Sequence, residues 1–345
     1  MNPHIGENGI KKLRLYIFML AITAVFVLAA GEVTLRLFSP VEYLSPRYKY
    51  SPRYGFVLFE NTRMVHSVPG RYKFHYTINK QGYRGDAVEL TSPPQKPTIV
   101  TLGDSYTFGM GVDDGEEYPQ RLARELDGRY DVVNLGNPGW GLTQEVRRYY
   151  DFGSLFHPEI VVLQYCSNDP EDNFNNMVTR VEDGRLEFVD GDGGINWAKK
   201  YLSRSIIQRS QLYNFFRNRV YLMLKATRVK QKEREYDTRT DGDEVPMQER
   251  FYAELLGQFA AGLKRDGAAL VMIAVNEQLD RHPHIKNTVL EMDRRGDLDY
   301  IEVTPWFEGV RDFNSAEGHV WGAVAHRIIA AALADSIRTT EGNRP

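Results

Sequence analysis

The pattern of apolar and polar positions changes along the chain, and each change predicts a different element. Residues 15–31 are uncharged and mostly apolar, and Lys11, Lys12 and Arg14 precede them. A helix over that stretch, rising about 1.5 Å per residue, spans roughly 25 Å, the short end of a membrane crossing. Further on, Tyr48, Tyr50, Tyr54, Phe56 and Phe59, then Tyr72, Phe74, Tyr76 and Ile78, alternate with polar residues. This predicts short strands with turns at Pro69-Gly70 and Lys80-Gln81-Gly82. The run 98–102 is short, apolar and β-branched, which predicts a strand buried on both faces, and 131–136, 159–165, 269–275 and 300–303 predict further strands. Helical runs cover 248–265 and 323–337.

Strands alternating with helices predict an α/β protein, a three-layer α/β/α sandwich with a five-stranded parallel sheet and right-handed crossovers. The division expected is 1–14 as a cytoplasmic N-terminus, 15–32 as a transmembrane anchor, 33–95 as a membrane-proximal aromatic segment, and 96–340 as the main domain. An insertion at about 174–247 interrupts that domain. It opens with a hairpin around Glu182-Asp183-Gly184-Arg185 and continues as basic, aromatic-bearing helices from Ile206 to Glu235. Such helices either lie on an anionic membrane surface or pack an apolar stripe on the domain, and the second is expected. The aromatic segment is expected to be a β-ribbon scaffold; a carbohydrate-contacting surface is the alternative.

Composition narrows the location and the chemistry. A chain of 345 residues holds one α/β domain with appendages. Its net charge of -3 carries no nucleic-acid footprint, and its one cysteine excludes an intrachain disulfide. No cysteine follows the apolar run, which excludes a lipoprotein anchor. Basic residues ahead of that run predict a cytoplasmic N-terminus with the remainder extracytoplasmic, periplasmic or extracellular. The rival is a signal peptide cleaved after Ala29 or Ala30, giving a secreted protein. His282-Pro283-His284 has no cluster of further ligands and reads as a surface loop rather than a metal site. No metal or organic cofactor is expected.

The candidate chemistry sits at strand ends. Gly103-Asp104-Ser105-Tyr106-Thr107-Phe108-Gly109 puts a serine just beyond the first buried strand, where open parallel sheets bind ligands. A serine capping the next helix is the plain alternative. The second strand runs into Gly136-Asn137-Pro138-Gly139, where Gly139 offers a backbone N–H, and the third into Cys166-Ser167-Asn168-Asp169, where Asn168 offers an amide. Glu317-Gly318-His319 precedes the last helical run and supplies an imidazole with a carboxylate nearby. Together these are a nucleophile, a base with an orienting acid, and donors for an oxyanion. Thr107 stands where a Gly-x-Ser-x-Gly elbow needs glycine, which argues against the α/β-hydrolase fold. Neither a Gly-x-x-x-x-Gly-Lys-Ser/Thr nor a Gly-x-Gly-x-x-Gly phosphate loop occurs after a strand.

Over residues 96–338 these motifs resemble the SGNH (GDSL) hydrolase superfamily, and Tyr76–Gly85 looks like the lead-in of its membrane-anchored members. The resemblance implies a flavodoxin-like strand order 2-1-3-4-5. It implies Ser105 as nucleophile and His319 as base, with Glu317 as the orienting acid and Asp312 in reserve. The N–H groups of Ser105 and Gly139 and the Asn168 side chain would form the oxyanion hole. Three positions depart from the family pattern: Cys166 replaces a glycine, Glu317 an aspartate, and Val320-Trp321-Gly322 small polar residues. A Ser-His dyad is the alternative to a full triad. The implied activity is that of a serine esterase on acyl, expectedly acetyl, esters of envelope or extracellular carbohydrate, such as O-acylated polysaccharide, through an acyl-serine. An O-acyltransferase or a lipid esterase would use the same residues. A catalytically silent anchored scaffold or binding protein is the reading from another class, and the intact Ser105 and Asn168 count against it.

Overall fold

The computed structural model describes residues 7–38, 47–68, 70–90, 94–175, 177–190, 207, 209–220, 245–274, 276–318 and 321–342. The chain forms two units, one of residues 1–43 with 202–241, the other of residues 44–201 with 242–345.

The larger unit is built on strands β5 (Thr98–Leu102), β6 (Asp131–Asn134), β7 (Ile160–Tyr165), β10 (Ala269–Ala274) and β11 (Asp299–Ile301). They form one sheet in the order β11-β10-β7-β5-β6, every pair parallel, which is 2-1-3-4-5 when the five are counted along the chain. The continuous apolar runs follow from this placement. Along β7, Ile160 and Val162 enter one core while Val161, Leu163 and Tyr165 enter the other, and β10 alternates the same way from Leu270 to Ala274. Successive side chains point to opposite faces, so a strand covered on both sides must be apolar at every position. Helices Leu142–Asp151, Met247–Asp266 and Pro283–Arg295 cover the first core through residues such as Val146, Phe259 and Val289. Helices Tyr118–Glu125 and Ala323–Gly342 cover the second through Leu122, Ile329 and Leu333. The Asp-Gly turn does form a hairpin, β8 (Thr179–Glu182) with β9 (Arg185–Phe188). Pro283, by contrast, opens a helix rather than a surface loop, and the His282 ring lies 2.6 Å from the Tyr165 hydroxyl.

The aromatic segment folds as two antiparallel hairpins, β1 (Tyr48–Ser51) with β2 (Gly55–Leu58), and β3 (Thr62–Val68) with β4 (Tyr72–Ile78). Leu58, Met64, Tyr76 and Ile78 form a small core with Phe108, the last residue of the short helix after β5.

In the smaller unit one helix runs unbroken over Glu7–Phe38, past the expected end of the anchor at residue 32. Its span from Gly9 is long and apolar enough to cross a membrane. Of the insertion's basic helices, residues 211–220 are described, and they belong to this unit. The Glu32 carboxylate accepts hydrogen bonds from the backbone N–H groups of Gln211 (3.0 Å) and Leu212 (2.9 Å) and from the Ser210 hydroxyl (2.8 Å). The rest of the run from Ile206 to Glu235, apart from Ile207, Arg209 and Ser210, lies outside the described residues.

Candidate active site

Ser105 is the first residue of a one-turn helix, Ser105–Phe108, that leaves the carboxyl end of β5. The chain can turn this sharply because residue 103 is glycine. At φ +150 a Cβ there would stand 2.3 Å from Thr107 Oγ1 and 2.7 Å from Gln164 Oε1. The buried Asp104 caps the turn, its Oδ1 accepting from Tyr106 N at 3.0 Å. Burial pushes the Asp104 carboxyl up to about 7; the Tyr106 N–H bond opposes that rise, Asp172 adds to it, and hydrogen bonds from the Ser105 and Asn168 side chains oppose it. The candidate nucleophile and the candidate oxyanion amide thus meet on one carboxylate, with Ser105 Oγ 3.4 Å from Asp104 Oδ2.

Asn168 lies in the turn after β7, the neighbour of β5, and its amide is held at both ends. Its Nδ2 donates to Asp172 Oδ2 at 2.6 Å, one helical turn on, and its Oδ1 lies 2.7 Å from the Cys166 thiol. Cys166 Sγ also lies 3.0 Å from Gln278 Oε1, which accepts the Ser167 N–H at 2.9 Å. The replacement of the family's glycine by Cys166 therefore adds a side chain behind the asparagine. Burial raises the thiol well above its ordinary range. Beneath this layer Glu145 and Asp169 are fully buried, and burial drives both carboxyls well above the ordinary carboxylate range, with neighbouring carboxylates adding to the rise. Neither Glu145 oxygen has a hydrogen-bond partner among the described residues.

Gly139 sits in the exposed turn after β6 at φ +82, a left-handed conformation that suits glycine. The Phe56 ring from β2 comes within 3.5 Å of where its Cβ would be. Beside this turn a groove of about 520 Å³ opens between the β1–β2 hairpin and the domain, lined by Tyr50, Tyr54, Lys80, Asn137, Trp140 and Arg148 among others. Asn137 Oδ1 is buried and accepts no hydrogen bond among the described residues.

The loop after the Ser105 helix is fastened by the lead-in segment. Arg84, wholly buried, donates to the carbonyls of Phe108 (3.0 Å), Gly109 (2.6 Å) and Val112 (2.9 Å) and pairs with Glu117 at 3.6 Å. Tyr76 Oη accepts the Gly111 N–H at 3.0 Å. Glu317 lies half-buried across from this loop: a Cβ on Gly111 would stand 3.6 Å from Glu317 Cβ. Burial raises the Tyr76 phenol and the Glu317 charge adds to the rise, which sets the two within electrostatic reach. The reserve acid Asp312 is exposed, at φ +56. His319 and Val320 lie outside the described residues. Just after them, Gly322 N donates to Phe313 O at 2.6 Å. Trp321 is fully buried and packs edge-on against Tyr106 of the Ser105 helix, ring centroids 5.1 Å apart. Trp321, one of the departures from small polar residues, thus packs beside the helix of Ser105.

Sequence reasoning missed Asp104, Asp172 and Arg84. The spacing of Asn168 and Asp172 by four on a helix was a readable signal for the second. Arg84, a lone arginine before glycine, carried none.

Residues 101–265 match the GDSL-like lipase/acylhydrolase family. No curated protein matches the chain. Solved structures similar to it include a lipase/acylhydrolase from Enterococcus faecalis (13% identity, 71% of this chain and 96% of that one, TM-score 0.42). Another is a lipolytic protein of the G-D-S-L family from Desulfitobacterium hafniense (9%, 70% and 99%, TM-score 0.43). A third is the psychrotrophic esterase EstA from Pseudoalteromonas sp. (11%, 72% and 100%, TM-score 0.41). With the parallel sheet order 2-1-3-4-5 and the Gly103-Asp104-Ser105 turn at the end of β5, residues 101–265 carry a GDSL-like lipase/acylhydrolase domain, that of a serine hydrolase acting on esters.

Proposed function

We propose that the protein is a membrane-anchored, extracytoplasmic serine esterase that removes acyl groups, acetyl foremost, from carbohydrate through an acyl-serine. The observation that carries this reading is the convergence of the Ser105 and Asn168 side chains on Asp104 at the carboxyl edge of β5 and β7. Ser105 Oγ attacks the ester carbonyl while His319 takes its proton, and Glu317 holds the imidazole in the tautomer that can accept it. The charge that develops on the carbonyl oxygen is met by the N–H groups of Ser105 and Gly139 and by Asn168 Nδ2. The tetrahedral intermediate collapses as His319 returns the proton to the departing alcohol oxygen. Water, deprotonated by His319, then attacks the acyl-serine, the bond from the acyl carbon to Ser105 Oγ breaks as His319 returns the proton to Oγ, and the acid leaves; a sugar hydroxyl in place of water would make the same residues a transferase.

Three features support the finer parts of the reading. The groove beside Gly139 mixes aromatic rings, a buried amide oxygen and the cations Lys80 and Arg148, a lining suited to a polyhydroxylated alcohol more than to an acyl chain. The apolar helix continues to Phe38 and is tied through Glu32 to residues 210–212, which favours a retained anchor over a cleaved leader. Lys11, Lys12 and Arg14 before the span favour an extracytoplasmic domain.

The test is turnover of p-nitrophenyl acetate by the detergent-solubilised full chain, together with fluorophosphonate labelling. Ser105→Ala and His319→Ala should abolish turnover, and Ser105→Ala should also lose the label. Glu317→Gln should cost on the order of 10²–10⁴ in kcat if it orients His319. A folded wild type that neither turns over nor labels would be a silent scaffold.

A further inference from the structure

We infer that the helix over residues 211–220 is a second membrane element, lying in the headgroup layer of the bilayer crossed by the Glu7–Phe38 helix; this rests on the anchor reading above. The depth follows from Glu32. No charged residue occurs between Leu15 and Gly31, so Glu32 is the first charge after the apolar span, where hydrocarbon gives way to headgroups. Its carboxylate accepts the N–H groups of Gln211 and Leu212 and the Ser210 hydroxyl, and Arg36 on the same helix donates to Arg209 O at 3.1 Å. These bonds satisfy the first N–H groups of the 211–220 helix and place its start at the end of the span.

The face it presents fits that layer. Leu212, Phe216 and Val220 recur every four residues and form one stripe. Leu212 packs on the anchor helix, its Cδ1 3.4 Å from where a Cβ on Gly31 would be. Phe216 and Val220 continue the stripe outward, 58% and 53% exposed, beside an anchor helix whose apolar window is wholly unburied. Two large apolar side chains in line with the span have hydrocarbon as their natural cover. Arg219 lies beside them with its guanidinium over the Phe215 ring, 3.4 Å from the centroid, a pairing suited to anionic headgroups.

The experiment uses the full chain with Cys166→Ala as background, reconstituted in vesicles of phosphatidylcholine and phosphatidylglycerol. A fluorescent NBD label is placed through Phe216→Cys, through Ile22→Cys in the span, or through Arg294→Cys on the exposed face of the α/β unit. Spin-labelled lipids carrying the quencher near the headgroup or deep in the chain report depth. The label at 216 should lose half or more of its emission to the shallow quencher and less to the deep one, the label at 22 the reverse, and the label at 294 neither. If 216 behaves like 294 while 22 is quenched, the anchor stands and this inference is overturned. If 22 is unquenched as well, the anchor reading falls and takes the inference with it.

Discussion

Asn168 is gripped by a thiol at Oδ1 and by the Asp172 and Asp104 carboxylates at Nδ2, and the N–H turned to Asp104 beside Ser105 is the one an oxyanion would take over. Asn168→Ala should therefore lower kcat about 10²–10³-fold with little change in KM, because the amide acts only as charge develops. Cys166→Gly restores the family's residue but removes that backing; kcat on p-nitrophenyl acetate should fall several-fold and recover in Cys166→Ser, whose hydroxyl can still donate. The buried acids beneath make a separate prediction. Asp104 moves from its ordinary 3.8 to about 7, and Glu145 and Asp169 also rise. In that window the folded protein keeps protons that the unfolded chain has released, so these groups make stability fall as pH rises from about 4 towards 7. Each proton so held contributes a slope of about 1.4 kcal/mol per pH unit. Glu145→Gln should flatten the dependence of Tm on pH between 5 and 8, measured by calorimetry; an unchanged slope would show that Glu145 does not hold its proton.

At the scale of elements, the lead-in hairpins and Arg84 decide whether the loop after Ser105 is rigid. The guanidinium serves three carbonyls, Asp114 and the buried Glu117, whose carboxyl burial has already raised. Arg84→Met keeps the stem but strands the three carbonyls and Glu117, and should cost about 3–5 kcal/mol, on the order of 10 °C in Tm. Hydrogen exchange should quicken at Phe108–Val112 before the rest of the sheet. In the smaller unit, Glu32→Ala removes the acceptor for the Gln211 and Leu212 N–H groups. Their exchange should rise at least tenfold in reconstituted protein, while β5 and β7 stay protected.

For the whole molecule, the strands and their end-of-strand motifs were legible because they have local signatures. A strand buried on both faces must be continuously apolar, and a glycine must stand where a backbone turns at positive φ, as at Gly103 and Gly139. The positions of Ser105, Gly139 and Asn168 along the chain therefore followed from the sequence, as did the membrane-length apolar helix. Glu317 and His319 were named from a short motif; the structure places Glu317 against the loop after Ser105, near Tyr76 and Gly111. Only the tertiary structure joined Asn168 to Asp104, Arg84 to the carbonyls of Phe108–Val112, and Glu32 to residues 210–212. A buried arginine or half-buried glutamate has the same letter as a solvated one, and its partners lie up to 180 residues away, so no period or spacing marks it. Charge and amide pairing is decided by which surfaces the folded chain takes out of water, because only there does an unpaired polar group become costly enough to select its partner.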